Sequence, residues 1–191
     1  MEQDLRTDEA LMLAYRDGEA NAFEVLYARW RGPLYRYFLR QCGHAGQADE
    51  LFQDVFMRVI GAAAGYEATA KFATWLFRIA HNRLVDHWRK TGREPVDALA
   101  SAGDVEDCAF DPPGPEHATP ERRAEQKELG AALMAALNEL PEVQREAFLL
   151  AEEGGLTLEE IASIAGVGRE TIKSRLRYAT AKLRNKLESW R

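Results

Sequence analysis

The stretch LTLEEIASIAGVGRETIKSRLRYATAKLRNK, Leu156–Lys186, decides the fold, because it reads as a short helix, a tight corner and a long helix with a basic outer face. Thr157 can cap the first helix while Glu160, three residues on, reaches back to it, which is the capping-box pattern. Leu158, Ile161, Ala162 and Ala165 supply an apolar stripe. Gly166 and Gly168 flank Val167 and give the chain two positions that tolerate unusual φ/ψ where it must reverse. On the second helix Ile172, Leu176, Ala179, Leu183 and Leu187 recur along one face at 3.6 residues per turn. The opposite face then carries Glu170, Lys173, Ser174, Arg177 and Tyr178, flanked by Thr171 and Arg175 on one side and Arg184 on the other.

From Gly166 to Arg191 there are eight Lys or Arg against two Glu, a local +6 in a chain whose formal charge is −6. That reversal of sign points at a polyanion. A major groove admits one helix, and Lys, Arg, Ser and Thr reach base edges and phosphates within it. The stretch is therefore read as a DNA-reading helix-turn-helix.

Upstream, the spacing predicts only helices. One starts at Thr7-Asp8 and ends at Asp17-Gly18, and a second runs from about Glu19 with Ala22, Phe23, Leu26, Tyr27 and Trp30 on one side. Pro33 either kinks or restarts it. Over 47–63, Leu51, Phe52, Val55, Phe56, Val59 and Ile60 form the inner stripe and leave Asp49, Glu50, Gln53, Asp54 and Arg58 outside. That outer face is either a solvated surface or a polar contact for a partner.

The helix over 72–90 gathers Leu76, Phe77, Ala80, Leu84 and Trp88 on one side. Lys71, Thr74, Arg78, Asn82 and Arg89 gather on another, with Trp75 beside them, while Phe72, Trp75 and Trp88 are also read as core. Aromatic and basic residues interleaved on one face suit unpaired or distorted DNA, since a base stacks on a ring while a cation holds its phosphate. Residues 71–93 carry a net +5.

Between Glu94 and Pro120 lie five of the seven prolines, and Glu94–Glu128 holds ten acidic residues against three basic ones. This composition marks a linker that repels DNA between two modules that attract it. Beyond it, Leu129, Leu133, Ala136, Leu137 and Leu140 are periodic, and Pro141 is placed in the first turn of a further helix bearing Val143, Ala147, Phe148 and Leu150. The expected architecture is all-α, with two small helical domains at 1–92 and 120–191 joined by an acidic, Pro-rich linker at 93–119.

Several classes drop out. No run approaches 18 apolar residues and the N-terminal stretch is charged, so neither a membrane span nor a secretory signal is expected and the protein is placed in the cytosol. Cys42 and Cys108 do not make a disulfide framework and are expected to stay reduced. Neither Cys42 with His44 nor His81 with His87 completes a metal site. No phosphate loop or catalytic constellation stands out, so no cofactor, no metal and no enzymatic activity are expected. On the residues alone, a conventional regulator with a sensing N-terminal half remains open.

Four blocks taken in order, GEANAFEVLYARW, ADELFQDVFMRVI, FATWLFRIAHNRLVDHWRK and LPEVQREAFLLAEEGGLTLEEIASIAGVGRETIKSRLRYATAKLR, resemble bacterial RNA polymerase σ factors of the sigma-70 family, extracytoplasmic-function type. The resemblance implies a σ2-like four-helix domain and a σ4-like helix-turn-helix domain. It implies that Asp49, Glu50, Gln53 and Asp54 contact core RNA polymerase. It further implies that Lys71, Phe72, Thr74, Trp75, Arg78, Asn82 and Arg89 act at the minus-10 element and in melting. The minus-35 element would fall to Arg169, Glu170, Thr171, Lys173, Ser174, Arg175, Arg177 and Tyr178. An anti-σ factor as a partner is also implied, and the free protein is expected to be a monomer. Glu170 departs from the small residue common at the start of such a helix, and either reads a cytosine amino group or faces away.

Overall fold

The structure is a computed structural model that describes residues 4–91 and 120–188, leaving aside the side chains of residues 120, 121 and 123–125. The linker expected at 93–119 lies outside the described residues. The described secondary structure is helical throughout: α1 (Asp8–Arg16), α2 (Ala20–Cys42), α3 (Ala45–Ala62), a 3-10 turn (Ala63–Gly65), α4 (Phe72–Thr91), α5 (Pro120–Asn138), α6 (Glu142–Glu152), α7 (Leu158–Ala165) and α8 (Arg169–Lys186).

Local signals set most boundaries. Thr7 caps α1, its hydroxyl accepting from the Ala10 amide at 3.2 Å. Gly43 ends α2 at φ 67°, a left-handed conformation in which an L side chain would be strained. Pro33 neither stops nor restarts the second helix; α2 runs unbroken through it. The lost hydrogen bond is outweighed by burial on both sides, since Leu26 and Leu34 are fully enclosed together with Tyr37 and Phe38. Pro141 sits one residue earlier than expected, as the cap of α6, and its extended ψ of 139° keeps it outside the helix.

Helices α1 to α4 enclose one core, built on Leu11, Met12, Leu51, Val55, Leu76, Phe77 and Leu84, all at or near zero exposure. Aromatic rings finish it, with Phe77 edge-on to Tyr37 at 5.4 Å and near Trp30 at 6.0 Å. In the second group α8 lies across α6, burying Ile172, Ala179 and Leu183. The two groups are not independent bodies here: α2 touches α6 and α4 touches α7. Tight packing at Gly154 lets them approach, because a Cβ there would meet the Leu150 carbonyl oxygen at 2.7 Å and Phe77 of α4 at 3.1 Å.

Candidate nucleic-acid interface

The helix-turn-helix forms as its local chemistry directs. Thr157 Oγ1 accepts from the Glu160 amide at 3.3 Å and Glu160 Oε2 accepts from the Thr157 amide at 2.8 Å, completing the capping box. Of the two turn glycines only Gly166 uses the left-handed region, at φ 66°. Gly168 is extended, at φ −72°, and caps α8 with its carbonyl, which accepts from the Thr171 amide at 3.0 Å. Of the two positions that tolerate unusual dihedrals only one is used so, because a single αL residue already reverses the chain.

With its back seated by Ile172, Ala179 and Leu183, α8 presents Thr171, Lys173, Ser174, Arg177 and Tyr178 to solvent, with Arg175 half-buried at the flank. Glu170 does not turn away. It lies exposed between Arg169 Nη1 at 3.1 Å and Lys173 Nζ at 3.6 Å, and Arg169 also pairs with Glu159 of α7. Arg177 stacks over the Tyr178 ring at 5.1 Å. Lys182 and Lys186 are engaged elsewhere, donating to the Glu139 carbonyl and carboxylate at the end of α5. In the first half of α8, Arg169, Lys173 and Arg177 remain exposed.

Lys71, just before α4, and Arg78, Asn82 and Arg89 on it are exposed, and Trp75 is half-buried. Phe72 and Thr74 are not on an accessible face: their exposures are 1% and 6%. Phe72 is held among Trp30, Tyr66 and Trp75 at ring-centroid distances of 6.2, 6.4 and 5.7 Å, because the first turn of α4 must plug the open end of the α1–α4 core. Two of these cations also touch the other half of the chain. Lys71 Nζ lies 3.2 Å from Glu160, and Arg78 Nη2 donates to Ser163 Oγ at 2.7 Å. Burial pushes the Glu160 carboxyl up, yet the Thr157 amide and the Lys71 ammonium together hold it down at about 2.

The α3 face keeps Asp49, Glu50 and Gln53 exposed, with Asp54 half-buried. Asp54 accepts from Arg83 Nε of α4 at 2.6 Å, and Glu50 lies 3.8 Å from the same guanidinium. Sequence reading missed two members of this face: Met57 is 66% exposed, one turn on from Gln53, and Ile60, expected in the core, is 39% exposed. It also missed Arg83, whose guanidinium is buried despite its charge. Apolar periodicity alone cannot assign a residue at the edge of a stripe, and nothing local marks which cation will find two carboxylates. Among the described residues no group of three His, Cys, Asp or Glu side chains is arranged to hold a metal ion, and no helix is long and apolar enough to cross a membrane.

Two family models match this arrangement: Sigma-70 region 2 over residues 26–94, and Sigma-70, region 4 over residues 130–183. The chain is 29% identical to the RNA polymerase sigma-H factor of Pseudomonas aeruginosa, covering 88% of each chain. It is 28% identical to the ECF RNA polymerase sigma-E factor of Escherichia coli, covering 95% of each. Among solved structures it is similar to the σ factor RpoE of Bartonella quintana, captured with the anti-σ factor NepR, with 26% identity, a TM-score of 0.65, and coverage of 90% of this chain and 100% of that one. With region 2 matching the helices that build the α4 face and region 4 the helix-turn-helix, the chain belongs to the sigma-70 family of RNA polymerase σ factors, in its extracytoplasmic-function group.

Proposed function

We propose that this σ factor docks on core RNA polymerase through Asp49, Glu50, Gln53 and Asp54 of α3 and carries two DNA-reading surfaces to a promoter. Residues 1–92 act as the σ2-like domain, 120–191 as the σ4-like domain, and 93–119 as the tether. Helix α8 enters the major groove of the minus-35 duplex with Lys173, Ser174, Arg177 and Tyr178 foremost, while Arg169, Glu170, Thr171 and Arg175 set register and phosphate contacts. Helix α4 and the loop before it act on the minus-10 element. There Lys71, Arg78, Asn82 and Arg89 hold phosphates, and Trp75, edged by Phe72 and Thr74, supplies the ring surface for an unstacked base. Opening costs a few kcal/mol per unstacked base and is offset by binding the flipped base, so no nucleotide is consumed in that step. The protein catalyses no reaction itself.

The observation that carries this reading is the exposed polar face of α8, seated from behind by three buried apolar residues. Docking on DNA through α4 has a structural condition. Lys71 and Arg78 must exchange Glu160 and Ser163 for phosphate oxygens, so α7 must leave α4 when the promoter is engaged. Control by an anti-σ factor, supported by the likeness to RpoE captured with NepR, acts on the same two halves. We place the protein in the cytoplasm, as a monomer when free.

Multi-round transcription with purified core polymerase on a pool of genomic fragments tests this reading. RNA starts that depend on the protein, share two upstream elements, and vanish when Asp49, Glu50 and Asp54 are changed together to Lys are the expected result. Tight binding of duplex DNA without polymerase, and no new starts, would instead support a conventional regulator.

A further inference from the structure

The loop that leads into α4 is held at both ends by α1. Residues 67–71 between them are all exposed, and Ala68 and Ala70 bring little of their own to fix a shape. At the loop's start, Arg16 Nη1 donates to the Tyr66 carbonyl at 3.2 Å. At its end, Glu9 Oε1 accepts from the Phe72 amide at 2.6 Å, capping α4 from another helix. The support is stiff. Leu11 and Met12 of α1 are fully buried, and Asp8 accepts from Arg29 Nη1 at 2.7 Å and from Trp30 Nε1 at 2.9 Å.

The source of that cap has a physical reason. A helix N-terminus leaves four amides without partners and favours a nearby negative charge. The first turn of α4 contains no acidic residue, and Lys71, in the cap position, has no side-chain acceptor to offer. A carboxylate carried by α4 itself would face the same phosphates as Lys71 and Arg78 and repel them. Glu9 supplies the charge from behind. Burial raises its carboxyl, but the Phe72 amide holds it below the ordinary carboxylate range, so it is ionised at neutral pH.

We propose that Glu9 and Arg16 are a positioning pair for promoter opening: they fix the loop over 66–71 and the first turn of α4 so that the minus-10 base is captured, without touching DNA themselves. This inference rests on the σ-factor reading above.

The test uses the full chain with core polymerase on a promoter obtained from the transcription mapping. A fluorescent adenine analogue in the non-template strand of its minus-10 element reports unstacking. For Glu9→Ala the opening rate is expected to fall by about 10- to 100-fold, the scale of a misplacement near 1 Å. Polymerase affinity and binding of minus-35 duplex should stay within about twofold, and transcription from a pre-opened template should recover, since only capture is affected. Glu9→Gln, which keeps an acceptor oxygen, should restore most of the opening. Arg16→Ala leaves the α4 cap intact and should slow opening as well, and it carries the test if Glu9→Ala loses helix content. Opening at the wild-type rate in a folded variant overturns the proposal. Equal losses in polymerase binding, pre-opened transcription and opening also overturn it, because they mark a general folding defect. If the unaltered protein gives no starts at all, it is the σ-factor reading that fails.

Discussion

Glu170 stands exposed in the first turn of α8. An acidic side chain on a DNA-facing helix looks like a liability, yet its carboxylate lies between Arg169 and Lys173 on the exposed face. On the proposed reading it would neutralise part of the field that binds any phosphate and leave base discrimination to Lys173 and Arg177. Glu170→Ala should therefore tighten binding to unrelated duplex and steepen the dependence of log K on log salt by about one unit, measured by anisotropy titrations at several salt concentrations. Arg177→Ala and Lys173→Ala should weaken minus-35 binding by about 1–3 kcal/mol each if they reach base edges. If upstream-element binding and promoter strength do not move, the face assignment is wrong.

Glu142 gives a second residue-scale prediction. It lies buried in the first turn of α6 with no hydrogen-bond partner on either carboxylate oxygen, and burial pushes its carboxyl up from 4.5 to about 7. The folded state thus prefers the protonated form. Its stabilising contribution is complete below about pH 4.5 and is lost as pH rises through 7. The favourable helix-end dipole, worth about 0.3–1 kcal/mol, is smaller than the cost of an unsatisfied buried group, about 1–3 kcal/mol. Glu142→Gln should accordingly raise the melting temperature at pH 8 by a few degrees and change it little at pH 5. Equal effects at both pH values would exclude ionisation as the cause.

Among the elements, α7 carries two duties with one residue. Glu160 closes the capping box on Thr157 and also holds Lys71 of α4. The two can be separated. Thr157→Ala removes only the cap and should cost about 1 kcal/mol of stability by chemical unfolding, leaving the Lys71 contact in place. This cap was legible in the sequence because its partners lie three residues apart. The cap of α4 was not: Glu9 and the Phe72 amide are 63 residues apart, and no local pattern connects them. Likewise most of the inner faces of α3 and α8 followed from periodicity, whereas Thr74, placed on the polar side by projection, and Phe72, placed there by the family resemblance, are buried.

For the whole molecule the consequential feature is the contact between its halves. Glu153, at the end of α6, takes Arg36 Nη2 at 2.9 Å and also Arg40. Glu146 takes His81 Nδ1 at 2.5 Å and stands beside the buried Tyr37 hydroxyl. An interface held by ion pairs is poorly suited to permanence, as is usual between domains that move. Glu153→Ala would strand two arginines at a cost of about 1–3 kcal/mol, and Gly154→Ala would drive a methyl group into the Leu150 carbonyl and Phe77. Both variants should increase the radius of gyration of the free protein in small-angle scattering while helix content stays constant. An unchanged radius in both would mean the closed arrangement does not depend on these contacts.

What the sequence determined by itself is everything encoded at short range: the helices, the capping box, the corner at Gly166, the basic face of α8, and the alternation of charge along the chain. These follow from interactions between residues one to four positions apart, which a linear reading can count. The tertiary structure decided which side chains lose solvent and which charges meet. It buried Arg83 against Asp54, exposed Met57 and Ile60, brought Glu9 to the start of α4, and set Glu160 on Lys71 and Ser163 on Arg78. Those outcomes depend on groups distant in the chain competing for the same space and the same partners, and only the packed molecule resolves that competition.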